Sequence, residues 1–187
     1  MDVQRTRDGK LILLHDERAD RTTDGRGPVA EMSIELARTL QTRDGEQMPT
    51  LEQALHAAND RIGLVLELKV KGIAEQSYAA VRHSRFGSPL IYASFAAEEM
   101  RAIRAADASA MTMVLMDTLP QNPVAHILSV EATHAGLRFT TVTRPLIEAF
   151  HGAGVHIFAY TVNELEDIRK MRAFGVDGII SDFPDRI

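Results

Sequence analysis

Two constellations in the sequence carry residue types able to do chemistry. The first is Glu67 with Lys69, at the end of the apolar run Gly63-Leu64-Val65-Leu66-Glu67-Leu68-Lys69. Period-two alternation puts both on one face of a strand, opposite Leu66 and Leu68. A strand buried on both faces is apolar throughout, so a carboxylate there needs a cation or a metal to offset its desolvation. Two readings stand level: a functional pair at a strand end, or a mutual ion pair that serves the fold alone. The second constellation is Asp2 with His15. If Asp8-Gly9 forms a two-residue hairpin turn, Arg7 faces Lys10 and Asp2 faces His15, with Cβ atoms about 5 Å apart. A carboxylate and an imidazole so placed suit a metal ligand and a general acid or base. The alternative is an exposed hairpin with a surface ion pair. A three-residue bulged loop shifts the register by one and removes the pairing.

The elements that position these residues follow from the pattern around them. Strands are expected at 2–6 and 11–14, joined by the hairpin turn, and then at 63–69, 90–94, 111–115, 133–136, 155–161 and 177–182. Of these, 133–136 is short and polar. Helices are expected at 51–59, 73–84, 96–105, 123–128, 144–151 and 163–174, with a short one near 33–40. Strands alternating with helices argue for right-handed βαβ units and a parallel sheet. The spacing is that of a TIM-type (β/α)8 barrel, whose active sites lie at the C-terminal strand ends. Residues 17–49 are rich in Asp, Arg, Thr and Gly, and 3–49 read as a hairpin and insertion within a single domain over 1–187.

Composition narrows the function classes. The 187 residues are 45% hydrophobic and 25% charged, near the globular average. The formal net charge is −5 and lysine occurs only at Lys10, Lys69, Lys71 and Lys170, so no nucleic-acid footprint is expected. No apolar run reaches the roughly 20 residues of a membrane helix. Cysteine is absent, which excludes thiol nucleophiles and disulfides. There is no G-x-G-x-x-G, P-loop or G-x-S-x-G. His56, His83, His126 and His151 fall on helices or near their ends and read as solvated or capping residues. His134 and His156 read as core histidines. Ser94, Asn163 and Asp182 sit near strand ends, as substrate contacts or as caps and turns.

The stretch MDVQRTRDGKLILLHDERADRTTDGRG, with the later MPTLEQAL, LVLELKVK, YASF, FAYTVN and GVDGIISDFP, resembles the glycerophosphodiester phosphodiesterase family over the whole chain. The resemblance implies a TIM barrel with a small insertion. It also implies hydrolysis of glycerophosphodiesters to glycerol 3-phosphate and an alcohol, assisted by a divalent cation, Mg2+ or Ca2+. Attack by a glycerol hydroxyl gives a cyclic phosphate that water then opens. By the same resemblance Asp2 and Glu67 are metal ligands, His15 is a catalytic histidine, Lys69 neutralises the phosphate and Asn163 binds substrate. Phe158 stands where the family often has Trp.

The sequence departs from the family at its start, where a His-Arg strand, a Pro-Glu-Asn-Thr helix start and the Glu of Glu-x-Asp are absent. The expectation is an N-terminally truncated barrel, a homo-oligomer through the open barrel edge and a cytoplasmic location. Alternatives are a lysophospholipase D-like phosphodiesterase, marked by an apolar rim at the barrel mouth, or an inactive barrel serving as a binding or assembly module.

Overall fold

The structure is a computed structural model that describes residues 1–187. The chain packs as two compact units, Met1–Tyr92 and Ala93–Ile187.

The first unit contains β1 (Asp2–Arg5), β2 (Leu11–Leu13), α1 (Ile34–Ala37), α2 (Leu51–Ala58), β3 (Leu64–Leu68) and α3 (Ala74–Ser84). It ends within β4 (Leu90–Ser94), which runs on into the second unit. β1 pairs antiparallel with β2 and parallel with β3. β3 alternates as expected: Leu64, Leu66 and Leu68 are buried, while Val65 and Glu67 are half-buried on the other face. α2 starts at a capping box, with Thr50 and Gln53 satisfying each other's backbone N–H groups.

The β1–β2 hairpin differs from the two-residue turn expected above. Arg5 faces Leu11 and Val3 faces Leu13, and Thr6 pairs with Lys10 around a three-residue loop. Gly9 takes the left-handed conformation such a loop requires, at φ +77°. Asp8 favours the longer loop. Its carboxylate accepts from Thr6 Oγ1 at 2.7 Å and from the backbone N–H of Ile34 at 3.0 Å, so the loop also docks α1. The register moves by one residue, and the Leu14 N–H donates to the Asp2 carbonyl. Asp2 therefore faces Leu14 and not His15. The residues after the hairpin close over a small core of their own, in which Ile12, Ala19, Val29, Met32 and Met48 are buried.

The second unit continues with α4 (Ala97–Ala106), β5 (Met111–Met116), α5 (Pro123–Leu128), β6 (His134–Arg138), α6 (Arg144–Gly152), β7 (His156–Tyr160), α7 (Leu165–Phe174) and β8 (Gly178–Ile179). β5 through β8 are parallel, each beside the next. Both units thus repeat the strand–helix alternation of a TIM-type α/β barrel. β6, short and polar in sequence, is a five-residue strand with its first four residues buried. Gly136 explains this. A Cβ there would overlap the side chains of Leu115 and Met113, both buried on β5, so the missing side chain lets β5 fill the space. β8 is shorter than expected, although the N–H groups of Asp177 and Ile180 still donate to β7 carbonyls.

Gly136→Ala is expected to overpack this contact and to cost about 1–3 kcal/mol, read as a lower urea midpoint at unchanged m-value.

Candidate active site

The parallel register of β1 and β3 sets Asp2 beside Glu67. Lys69 follows Glu67 by two residues and returns to the same face, and its N–H donates to the Val3 carbonyl. The three side chains converge. Lys69 Nζ lies 2.8 Å from Glu67 Oε1 and 3.2 Å from Asp2 Oδ1. They are largely withdrawn from water, with side-chain exposures of 14% for Lys69, 18% for Glu67 and 30% for Asp2. The expected Glu67–Lys69 pair is present, and Asp2 joins it as a third member.

The electrostatics of this triad follow from its composition. Burial pushes the Glu67 carboxyl above its usual range, the Lys69 ammonium pulls it down, and the neighbouring Asp2 charge pushes it up again. Burial opposes the charge on Lys69, but Glu67 and Asp2 outweigh it and raise the ammonium above its ordinary value. Glu67 Oε1 is buried within ion-pair distance of the Lys69 ammonium. The hard oxygens of Asp2 and Glu67 are of the type a divalent cation takes. No group of three or more His, Cys, Asp or Glu side chains gathers to bind a metal.

His15 leaves the end of β2 and is exposed. Its Nδ1 lies 2.8 Å from Asp16 Oδ1. Arg21 grips the same Asp16 carboxylate, from Nε to Oδ2 at 2.5 Å and from a terminal nitrogen to Oδ1 at 2.7 Å. Sequence reasoning missed this Arg21–Asp16 contact. The signal was an Arg five positions after the His-Asp pair, close enough for a single 3-10 turn at Ala19–Arg21 to bring it back.

In the second unit Asn163 follows β7 with its side-chain amide engaged. Nδ2 donates to Asp182 Oδ2 at 2.9 Å, and Oδ1 accepts from the Asp182 N–H at 3.0 Å and from Ser181 Oγ at 3.2 Å. It ties the segments after β7 and β8 together at their C-terminal ends. The same ends carry half-exposed Phe95, Leu165 and Phe183. Tyr160 packs edge-on to Phe95 and donates to Asp117 at 3.3 Å.

The N-terminal ends of those strands hold a different cluster. His134 is buried beside Thr133, as expected of a core histidine, and burial lowers its pKa. His156, in contrast, is exposed. It shares the Asp177 carboxylate with His151, whose Nε2 lies 2.8 Å from Oδ2. The Ile157 N–H donates to the same carboxylate. Position at this end of the strands assigns the group to stability.

No helix is long and apolar enough to cross a membrane. The sequence model of the glycerophosphoryl diester phosphodiesterase family matches residues 1–186. Bacillus subtilis YhdW is 33% identical across the whole chain, which spans 83% of that protein. The glycerophosphodiester phosphodiesterase of Caldanaerobacter subterraneus subsp. tengcongensis is 30% identical, with 82% of it spanned. Among solved structures, a glycerophosphodiester phosphodiesterase of Agrobacterium tumefaciens is 29% identical at a TM-score of 0.84, with all of this chain and 84% of that one covered. An Oleispira antarctica phosphodiesterase, solved with the product sn-glycerol-3-phosphate, shares the fold at a TM-score of 0.90 and 23% identity, covering all of this chain and 81% of that one.

The raised Glu67 carboxyl has a stability consequence. The folded state holds this proton more tightly than the unfolded chain. The contribution is therefore fully present below the ordinary value of 4.5 and is lost as pH rises through the higher folded value. Glu67→Gln cannot titrate, so its stability relative to wild type should improve as pH rises above 4.5. Urea unfolding of both proteins across that range checks this, and a constant difference contradicts it.

Proposed function

The chain belongs to the glycerophosphodiester phosphodiesterase family, and on that premise we propose that it hydrolyses glycerophosphodiesters to glycerol 3-phosphate and an alcohol with a divalent cation, Mg2+ or Ca2+, held by Asp2 and Glu67. The observation that carries this reading is the convergence of two carboxylates and an ammonium at the C-terminal end of β3. When bound, the cation neutralises phosphate oxygens and activates a hydroxyl. Lys69 stays protonated beside its two carboxylates and offers a fixed positive charge where negative charge grows on the phosphate. His15, with Nδ1 turned to Asp16, presents Nε2 to take a proton from the attacking hydroxyl or return one to the leaving alkoxide. Asn163 is read as a substrate-binding residue that also holds the Ser181–Asp182 segment, to which its amide is bonded.

A second reading, a lysophospholipase D-like activity, is favoured by Phe95, Leu165 and Phe183. They stand 50%, 49% and 41% exposed after β4, β7 and β8, where an acyl chain would need an apolar rim.

The assay follows release of glycerol 3-phosphate from glycerophosphocholine. His15→Ala should lower kcat about 10²–10⁴-fold, and a variant within a few-fold of wild type removes the histidine from the chemistry. Lys69→Ala should raise KM and lower kcat together, because phosphate charge is present in both ground and transition states. Faster turnover of lysophosphatidylcholine than of glycerophosphocholine selects the second reading. Calorimetric titration with Mg2+ or Ca2+ should show binding by wild type that Glu67→Gln weakens, and equal binding by the two proteins removes the site.

A further inference from the structure

We propose that Arg21 and Asp16 are positioning residues for His15, forming an Arg–Asp–His relay that fixes which imidazole nitrogen faces the substrate. The inference rests on the reading of His15 as the acid–base group.

The sequence builds the relay within seven residues. His15 and Asp16 leave the end of β2, and the 3-10 turn Ala19–Arg21 reverses the chain. The turn is anchored from below. Ala19 is fully buried, its N–H donates to the Gly27 carbonyl, and Thr23 Oγ1 donates to the Ala19 carbonyl at 2.8 Å. Arg21 is thereby aimed back at Asp16. Its planar fork meets the carboxylate at both oxygens, the bidentate geometry that a lysine cannot reproduce.

The remaining charges around this open depression are Glu17, Arg18 and Asp20. Arg18 is drawn to Asp20, Nε to Oδ2 at 3.2 Å, and Asp20 also accepts the Gly27 N–H at 3.0 Å. Arg21 is therefore the cation that orients Asp16.

The chemistry follows from which atoms can donate. A neutral imidazole carries one N–H, on either nitrogen. An ionised carboxylate only accepts, so Asp16 beside Nδ1 selects the Nδ1–H tautomer and leaves the Nε2 lone pair free. A half-buried carboxylate on the residue next to the histidine has rotamers that would abandon it. The two-point grip of Arg21 removes that freedom. Arg21 also holds the Asp16 carboxyl well below the usual carboxylate range, so Asp16 remains an acceptor wherever the imidazole is neutral. A buried carboxylate performs the same task for the histidine of Ser-His-Asp hydrolases. Here a guanidinium supplies the rigidity that burial supplies there.

The test pairs kinetics with a spectroscopic readout. Nitrogen-15 NMR of the His15 ring, at a pH where it is neutral, should show the Nδ1–H tautomer in wild type and a mixture in Asp16→Asn and Arg21→Ala. For glycerophosphocholine, both variants should lose about 10–100-fold in kcat, the usual cost of removing an outer-shell partner, with KM changed less than about threefold. Arg21→Lys keeps the charge without the fork and should recover only part of the loss. An Nε2–H tautomer in wild type overturns the relay, as does a kcat within about threefold of wild type in both variants. If wild type releases no glycerol 3-phosphate, the functional reading fails and the ring spectrum still decides whether the relay exists.

Discussion

The ammonium of Lys69 stands between two carboxylates that come from different strands. Asp2 is brought in by β1, and Glu67 lies on the same strand as the lysine. The contact needs the parallel β1–β3 register that sets Asp2 beside Glu67. It also needs the strict alternation of β3, which keeps Leu64, Leu66 and Leu68 on the opposite face. A slip of one residue in that pairing would send Glu67 into the apolar layer and a leucine into the polar one. Desolvating one carboxylate without its cation would cost more than a well-made pair contributes. The triad and the register therefore specify each other.

How far the sequence discloses this arrangement depends on whether a local pattern decides the structure. Period-two alternation placed Glu67 and Lys69 on one face because alternation is a property of the strand alone. The starts of the helices near 51 and 123 are fixed just as locally, since Thr50 and Asn122 cap them with their own side chains. The Asp2–His15 pairing is not. Asp8-Gly9 is equally a two-residue turn and the end of a three-residue loop, and the choice is made by Ile34, whose N–H Asp8 captures from 26 residues away. β6 looked weak because 133–136 is short and polar, while the packing of Met113 and Leu115 over Gly136 is visible only in three dimensions. His156 was misplaced in the core because its position in a strand sets which face it takes but not whether that end of the strand meets water.

The two ends of the second unit's strands show a division of labour. At the N-terminal ends, Asp177 is satisfied by two histidines and the Ile157 N–H, a closed arrangement with little capacity left for a ligand. At the C-terminal ends, apolar side chains stand half in water and Asn163 braces a turn. Conformational and solvation costs are thus concentrated where binding can offset them. This is the usual sense in which active sites sit on barrels at one end only.

The charges of the triad bear on what the site would bind. One ammonium leaves two carboxylates a single unit short of neutrality, and the Asp2 charge adds to the burial that raises the Glu67 carboxyl. On the proposed reading a divalent cation turns the deficit into a surplus of one. A phosphodiester carries one negative charge and cancels it. Neither the free chain nor the cation-loaded chain is then balanced, and only the complex with substrate is. Since charge is what a phosphodiester presents and what its hydrolysis redistributes, a site that reaches neutrality only with substrate bound directs its electrostatic stabilisation toward the reacting state.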